Sequence, residues 1–321
     1  MTFRNIGMRA LLVILQTTAT FAFFSATSSH HAFVNGPMET HLSATATDAV
    51  AQLDVSQIKS VNEITAAIPD LEAKTDLSWG AGSGVSINNN PATLDARDAP
   101  GNSNIAWLSS VNVANSLSSL TIFNGPLTDV PHLLSRCVVN SDNTLTFALD
   151  FRPRAYGAYE MKDAAGNYPG PETLGREAFT YSGNRQDFDS KFGTPEVEQF
   201  MTATAAALQG TPIPASELDT LTQGPLSLHV TVPLTDANLS TIVNAREQAA
   251  QYWLKWALED DHFHRPGAPI NSQYLYDSKY RQNAYLALLP VYSAAFGAAD
   301  GQNLCAAESG PLDEGYVGGG S

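Results

Sequence analysis

From Asn104 to Arg154 the chain alternates short apolar runs with turn residues. Ile105–Val113, Leu133–Val139 and Leu145–Phe151 are strand-length runs. The last two are joined by Asn140-Ser141-Asp142-Asn143, a polar tetrad suited to a hairpin loop, which predicts antiparallel pairing. The third run ends in Leu149-Asp150-Phe151-Arg152-Pro153-Arg154 and leaves an acid and two cations at the rim of the sheet, where sites gather. In Pro225–Pro233, Leu226, Leu228, Val230 and Val232 alternate with polar residues, the pattern of a half-buried strand.

Helical periodicity appears elsewhere. Val55–Ala73 reads as a helix broken at Pro69. Pro195–Gln209 reads as a helix with proline in its first turn, where the missing N–H costs nothing. Asp236–Leu258 is the longest, with an Asp or Ser cap and an apolar stripe of Ile242, Ala245, Ala249, Tyr252, Trp253 and Trp256. Ala284–Phe296, with Pro290 inside it, is expected to be the last helix. Gly80–Asn104 is rich in Gly, Asn, Asp and Pro and is expected to be a long loop. Ala155–Thr194 reads as an inserted loop, and Pro311–Ser321 as a loose end. Hairpin-linked strands with helices around them predict an α+β fold in which helices cover an antiparallel sheet.

The first residues read as an address. Arg4 and Arg9 precede Ala10–Leu15, a softer apolar run continues to Phe24, and small residues follow, as in a signal peptide. The apolar stretch is short for a membrane span. The expected break is before Phe33, and Ala32-Phe33 resembles the cleavage motif of bipartite plastid presequences in diatoms and their relatives. The Ser-, Thr- and Ala-rich stretch after Phe33 suits a transit segment. The expected division is therefore a signal peptide over 1–32, a transit segment over 33–54, a folded domain over 55–300 and a flexible tail over 301–321. Plain secretion is the alternative, and Asn238-Leu239-Ser240 would then be a glycosylation site.

Composition narrows the chemistry. A length of 321 residues with 43% hydrophobic content suits one globular domain, or one domain with a small appendage. The net charge is −15, and removal of the residues before Phe33, two of them basic and none acidic, makes it about −17. Nucleic acid needs a basic face and is not an expected partner. Cys137 and Cys305 are the only cysteines; they suggest neither a zinc site nor a disulfide scaffold, and Cys137 reads as a core thiol. Nucleotide-binding glycine fingerprints, GxSxG and HExxH are absent from the sequence. His262-Phe263-His264 lacks a third ligand at useful spacing, so no metal is expected; the loop around it reads either as a cover over a pocket, with groups that titrate near neutral pH, or as a solvated polar loop.

Several segments, in order, resemble the family of red chlorophyll catabolite reductases and, more distantly, the ferredoxin-dependent bilin reductases. They are NIAWLSSVNV, SLSSLTIFNGPLTDVPHLL, LTFALDFRPR, Pro195-Glu196-Val197, AAQYWLKWALED and YDSKYRQNAYLALLPVYSAAFG, spanning roughly residues 100–300. The resemblance implies a three-layer α/β/α sandwich with a central antiparallel sheet and an open cleft for a linear tetrapyrrole between sheet and C-terminal helices. It implies no bound cofactor. It implies that electrons arrive singly from reduced ferredoxin and that carboxylates and a histidine supply protons.

Such a substrate wants a roomy apolar cleft with few polar anchors, and its propionates want guanidinium groups. Arg152 and Arg154 are the expected anchors, with Arg136, Asp150, His262 and His264 also expected at the substrate. Counting from Pro131, the position of the family's first catalytic acid falls on Arg136, and Asp129 is the nearest replacement. The second acid falls at Asp277, or at Asn283 with a shifted gap. Ferredoxins are acidic, so docking is expected on a local basic patch of Lys255, Arg265, Lys279 and Arg281. A reductase and a bilin-binding protein that has lost its acid both fit these residues, and an unrelated secreted domain is the third reading.

Overall fold

The computed structural model describes residues 46–75, 82–99, 105–125, 128–153, 191–208, 210–216, 219, 222–259 and 270–310. They open with helix α1 (Ala46–Ala67) and strands β1 (Glu72–Ala73), β2 (Gly82–Ile87), β3 (Asn90–Ala99), β4 (Ile105–Val113), β5 (Leu117–Asn124), β6 (His132–Val139) and β7 (Thr144–Arg152). Helix α2 (Pro195–Leu208), strands β8 (Thr211–Pro212) and β9 (Leu228–Pro233), and helices α3 (Asp236–Leu258), α4 (Ile270–Phe296) and α5 (Ala298–Ser309) follow. All lie within one unit, Leu42–Ser321.

Every pairing in the sheet is antiparallel, in the order β1-β3-β4-β5-β6-β7-β9-β8, with β2 also on β3. The predicted hairpin holds: Val139 faces Leu145, Asn140 N–H donates to Thr144 O at 2.9 Å, and Asn143 takes φ 62°. The expected loop over 80–104 instead contains β2 and β3. Asn88 and Asn89 both take positive φ (48° and 64°), the backbone of a two-residue hairpin turn that asparagine tolerates. β3 then pairs along β4, from Ala92 opposite Val113 to Ala99 opposite Ile105, and buries Ala92, Leu94 and Ala96 at alternate positions. Pairing with an apolar neighbour overrode a composition that locally favours loop.

Strand periodicity gives the sheet two unlike faces. One carries Leu108, Leu120, Leu133, Cys137, Leu145, Phe147, Leu149 and Phe151, packed under α1, α2 and α3 in the larger core. The other lies under α4 and α5, where Val111, Val113 and Leu117 meet Leu288, Tyr292, Leu304 and Cys305. The molecule is thus an α/β/α sandwich with a central antiparallel sheet, as expected.

Helix α3 has the predicted bounds, and its stripe is buried at Ile242, Ala245, Ala249, Trp253 and Trp256, while Tyr252 is partly exposed. Its cap is Thr235, one residue before the expected position, whose hydroxyl accepts from Asn238 N–H at 3.2 Å. Helix α1 starts at Ala46, and Ala49, Val50 and Leu53 are buried, so the folded region includes residues assigned above to the transit segment. The expected tail also begins too early. Residues 301–309 are helical in α5, with Leu304 and Cys305 in the core, because the apolar end of the second sheet face needs a cover. Helix α4 is longer than expected, starting at Ile270, and is not the last. The inserted loop lies almost entirely outside the described residues.

Candidate functional site

The second sheet face is where chemistry collects. Reading across the strands, His132 stands opposite Arg152, Leu134 lies between Thr121 and Asp150, and Ser109 faces Thr121. The next row runs Val111, Ser119, Arg136, Ala148, His229. Beyond it the face turns apolar at Val113 and Leu117. Residues two apart on a strand share a face, so Asp150 and Arg152 are neighbours by construction, as are His132 and Arg136 at one remove.

Asp150 is 2% exposed. Its carboxylate accepts from Arg152 Nε at 2.9 Å and from Gly224 N–H at 3.1 and 3.2 Å. Burial pushes this carboxyl above its ordinary range; the Arg152 charge and the Gly224 N–H oppose the shift without cancelling it. Arg152 also donates through Nη1 to Thr222 Oγ1 at 3.3 Å, and the Tyr280 hydroxyl of α4 donates to Thr222 O.

The imidazole of His132 is buried beside these groups. Its Nδ1 accepts from Asn124 N–H at 3.0 Å, so the neutral ring carries its proton on Nε2. Its ring centroid is 5.0 Å from Tyr280 and 5.2 Å from Phe123. Asp277 is buried one helical turn before Tyr280, on the same side of α4.

Gly224 matters through what it lacks. A Cβ there would sit 2.3 Å from Phe151 O and 2.6 Å from Asp150 Oδ1. Gly224→Ala is therefore expected to push the N–H off Asp150 and to destabilise the fold by about 1–3 kcal/mol, the usual cost of overpacking. Urea unfolding checks this; a midpoint equal to wild type would refute the contact.

The expected site residues separate. Asp150, Arg152 and Asp277 come to the same end of this face, one pair on β7 and the third on α4. Arg136 is one row away, tied to the buried carboxylate of Glu308 through Nε at 3.1 Å and through Nη2, with its guanidinium carbon 5.6 Å from the Tyr292 ring centre. Asp129 lies on the segment before β6, and its carboxylate accepts from Lys191 Nζ at 2.8 Å. Arg154, His262 and His264 lie outside the described residues.

Of the expected basic patch, Arg265 lies outside the described residues, and Lys255 and Arg281 fall in different layers. Lys255 is on α3, in the layer opposite α4, and Arg281 Nε donates to Ser309 O at 2.7 Å. Sequence reasoning missed His132, Tyr280, Gly224, His229 and Glu308. Strand alternation placed His132 two positions from Leu134 and was the available signal for it; nothing local marks the others. His229 is held below the ordinary histidine value, first by burial and then by the Arg136 charge.

A groove of about 450 Å³ between α2 and α3, flanked by Glu196, Thr204, Asn244 and Tyr252, opens on the other layer and shares no residue with this cluster. Among the described residues, no helix is long and apolar enough to cross a membrane.

No family model matches the sequence, and no curated protein matches it. Among solved structures, the chain is similar to phytochromobilin synthase from tomato, solved in complex with biliverdin. The TM-score is 0.52 at 12% sequence identity, over 78% of this chain and 81% of that chain. At that identity the likeness is one of fold.

Proposed function

We propose that this chain binds an open-chain tetrapyrrole between the second sheet face and helices α4 and α5, and reduces it with electrons from ferredoxin. The observation that carries the reading is the buried Asp150–Arg152 pair beside His132, placed under α4 on a fold shared with a biliverdin-binding enzyme. Reduction of one conjugated double bond takes two electrons and two protons. Ferredoxin supplies the electrons one at a time, and no resident cofactor is required. The protein's task is to hold the pigment and deliver protons to it while it is a radical.

Asp150 suits the first delivery because its carboxyl is raised by burial and so keeps its proton closer to neutral pH. His132, buried beside this pair, is the second candidate donor. Asp277, on the covering helix, is the second carboxyl within this end of the site. Asp129, whose carboxylate is engaged by Lys191, is the less favoured of the two catalytic residues expected from sequence. Arg152 and Arg154 serve the propionates. The finer reading takes red chlorophyll catabolite as the substrate and a plastid as the location, reached through the bipartite presequence. Both rest on the segment resemblance and the Ala32-Phe33 junction.

The test is an anaerobic assay of the chain from about Phe33 with a ferredoxin-reducing system, offering red chlorophyll catabolite and biliverdin separately. Ferredoxin-dependent loss of the pigment's visible absorbance is expected. A spectral shift on mixing without turnover would favour a second reading, a bilin-binding protein. One observation speaks for that alternative: Arg136 stands where the resembling family has an acid, and its charge is engaged by Glu308.

A further inference from the structure

The polar part of the second sheet face is closed in an unusual way. Ser109, Ser119 and Thr121 are buried there, and among the described residues their hydroxyls have no hydrogen-bond partner; the same is true of Ser309 Oγ on α5. Buried hydroxyls are ordinarily paired, so a cluster of unpaired ones marks a surface shaped for something other than its present cover. These residues adjoin Arg136: Ser119 is its cross-strand partner, and Ser109 and Thr121 form the neighbouring row.

The cover is the last turn of α5. The first half of that helix is firmly seated. A Cβ at Gly301 would lie 2.6 Å from Ser293 N, so the backbones of α4 and α5 are in contact there, and Leu304 and Cys305 sit in the apolar cluster. The last turn is held differently, by polar contacts. Glu308 takes Arg136 Nε and Nη2 and the Tyr292 hydroxyl, Ala307 O accepts from Trp107 Nε1 at 2.8 Å, and Ser309 O accepts from Arg281 Nε at 2.7 Å. A carboxylate in the last turn opposes the helix dipole, so Glu308 is kept in place by Arg136 and Tyr292 and not by its own helix. A guanidinium fork with a phenol beside it is also the donor set that a ligand carboxylate takes.

We infer that the last turn of α5 is a displaceable cover, and that Glu308 holds at Arg136 and Tyr292 the place of a carboxylate of the bound ligand. On binding, the ligand carboxylate replaces Glu308, and the hydroxyls of Ser109, Ser119 and Thr121 meet polar groups of the same ligand. This inference rests on the proposed tetrapyrrole site.

The test compares biliverdin, which has two propionates, with biliverdin dimethyl ester, which has none, on the chain from about Phe33 and on Glu308→Gln. Removing the internal carboxylate leaves Arg136 for the ligand. The preference for biliverdin over its ester is expected to rise about tenfold or more in E308Q. An unchanged preference, with wild-type binding present, overturns the cover and leaves the site reading intact. Hydrogen exchange on the wild-type chain gives an answer independent of the variant's folding. Amides of residues 306–310 are expected to lose protection when biliverdin binds, and equal or greater protection overturns the inference. Binding of neither pigment by wild type and variant would overturn the site reading and the inference with it.

Discussion

Asp150→Asn is expected to stop reduction of the bound pigment while leaving its binding in place, with turnover falling by about 10²–10⁴-fold, the usual worth of a positioned proton donor. Asparagine is nearly isosteric and its oxygen still accepts from Arg152 and Gly224, so the site keeps its shape. It has no acidic proton to give.

The pH dependence has a definite sign. Burial raises the Asp150 carboxyl, so the proton is lost only as pH climbs through that raised value, and activity is expected to fall along the same limb. Stability follows by linkage. Between the ordinary value of 3.8 and the raised one, the native chain holds a proton that the unfolded chain has released. The contribution of Asp150 to stability is therefore full below 3.8 and is lost as pH rises through the native value. D150N mimics the protonated form and removes that slope, so its stability relative to wild type is expected to rise as pH climbs through the native value. Single-turnover kinetics with pre-bound pigment, together with urea unfolding across the pH range, separate the two effects. Wild-type turnover in D150N would sink the assignment.

The largest stability effect is expected at Arg246. The residue is 4% exposed, inside the layer formed by α1 and α3 on the first sheet face. It donates to Ser135 Oγ at 2.8 Å, to Ser118 Oγ at 2.9 Å and to Gln57 Oε1. Gln57 in turn donates to Ser110 Oγ at 2.8 Å and Val111 O at 3.3 Å, so this one cation ties α1, α3 and three strands together. Among the described residues no carboxylate is within ion-pair distance of it, and burial lowers its pKa. The acceptors it touches directly are neutral, and the Asp54 carboxylate acts on its charge from farther off.

Arg246→Ala is expected to cost about 4 kcal/mol, through a cavity and through the loss of the donors that order Gln57 and the two serines. Arg246→Met keeps the stem's packing and is expected to recover part of that. Urea unfolding decides it; a change under about 1 kcal/mol for the alanine variant would show the network to be redundant.

Much of the scaffold was legible because local patterns and tertiary partners agree. The apolar runs at 105–113, 133–139 and 145–151 became β4, β6 and β7, and the asparagine-rich tetrad became their turn. The stripe of 236–258 was read to its ends because a cap, a period of 3.6 and aromatic weight all coincide there. β2 and β3 escaped because Gly82–Ala99 has few large apolar residues; β3 exists by pairing with β4, and β2 by pairing with β3. α5 escaped because its sequence is small and weakly patterned, and its helix is seated by close approach to α4 at Gly301. Arg246 escaped because a charge on an amphipathic helix reads as solvated unless its acceptors on other elements are known.

The candidate site divides in the same way. By itself the sequence determined that Asp150 and Arg152 share a strand face, since a period of two admits no other outcome. It determined equally that His132 and Arg136 lie on one side of their strand. Only the tertiary structure decided that this polar face is buried, that Gly224 and Thr222 arrive from a distant segment to bind its charges, and that Glu308 reaches Arg136. The physical reason is that alternation fixes direction but not environment. An acid beside an arginine is an ordinary surface pair in water, and becomes a carboxyl with a raised pKa when helices exclude the water around it.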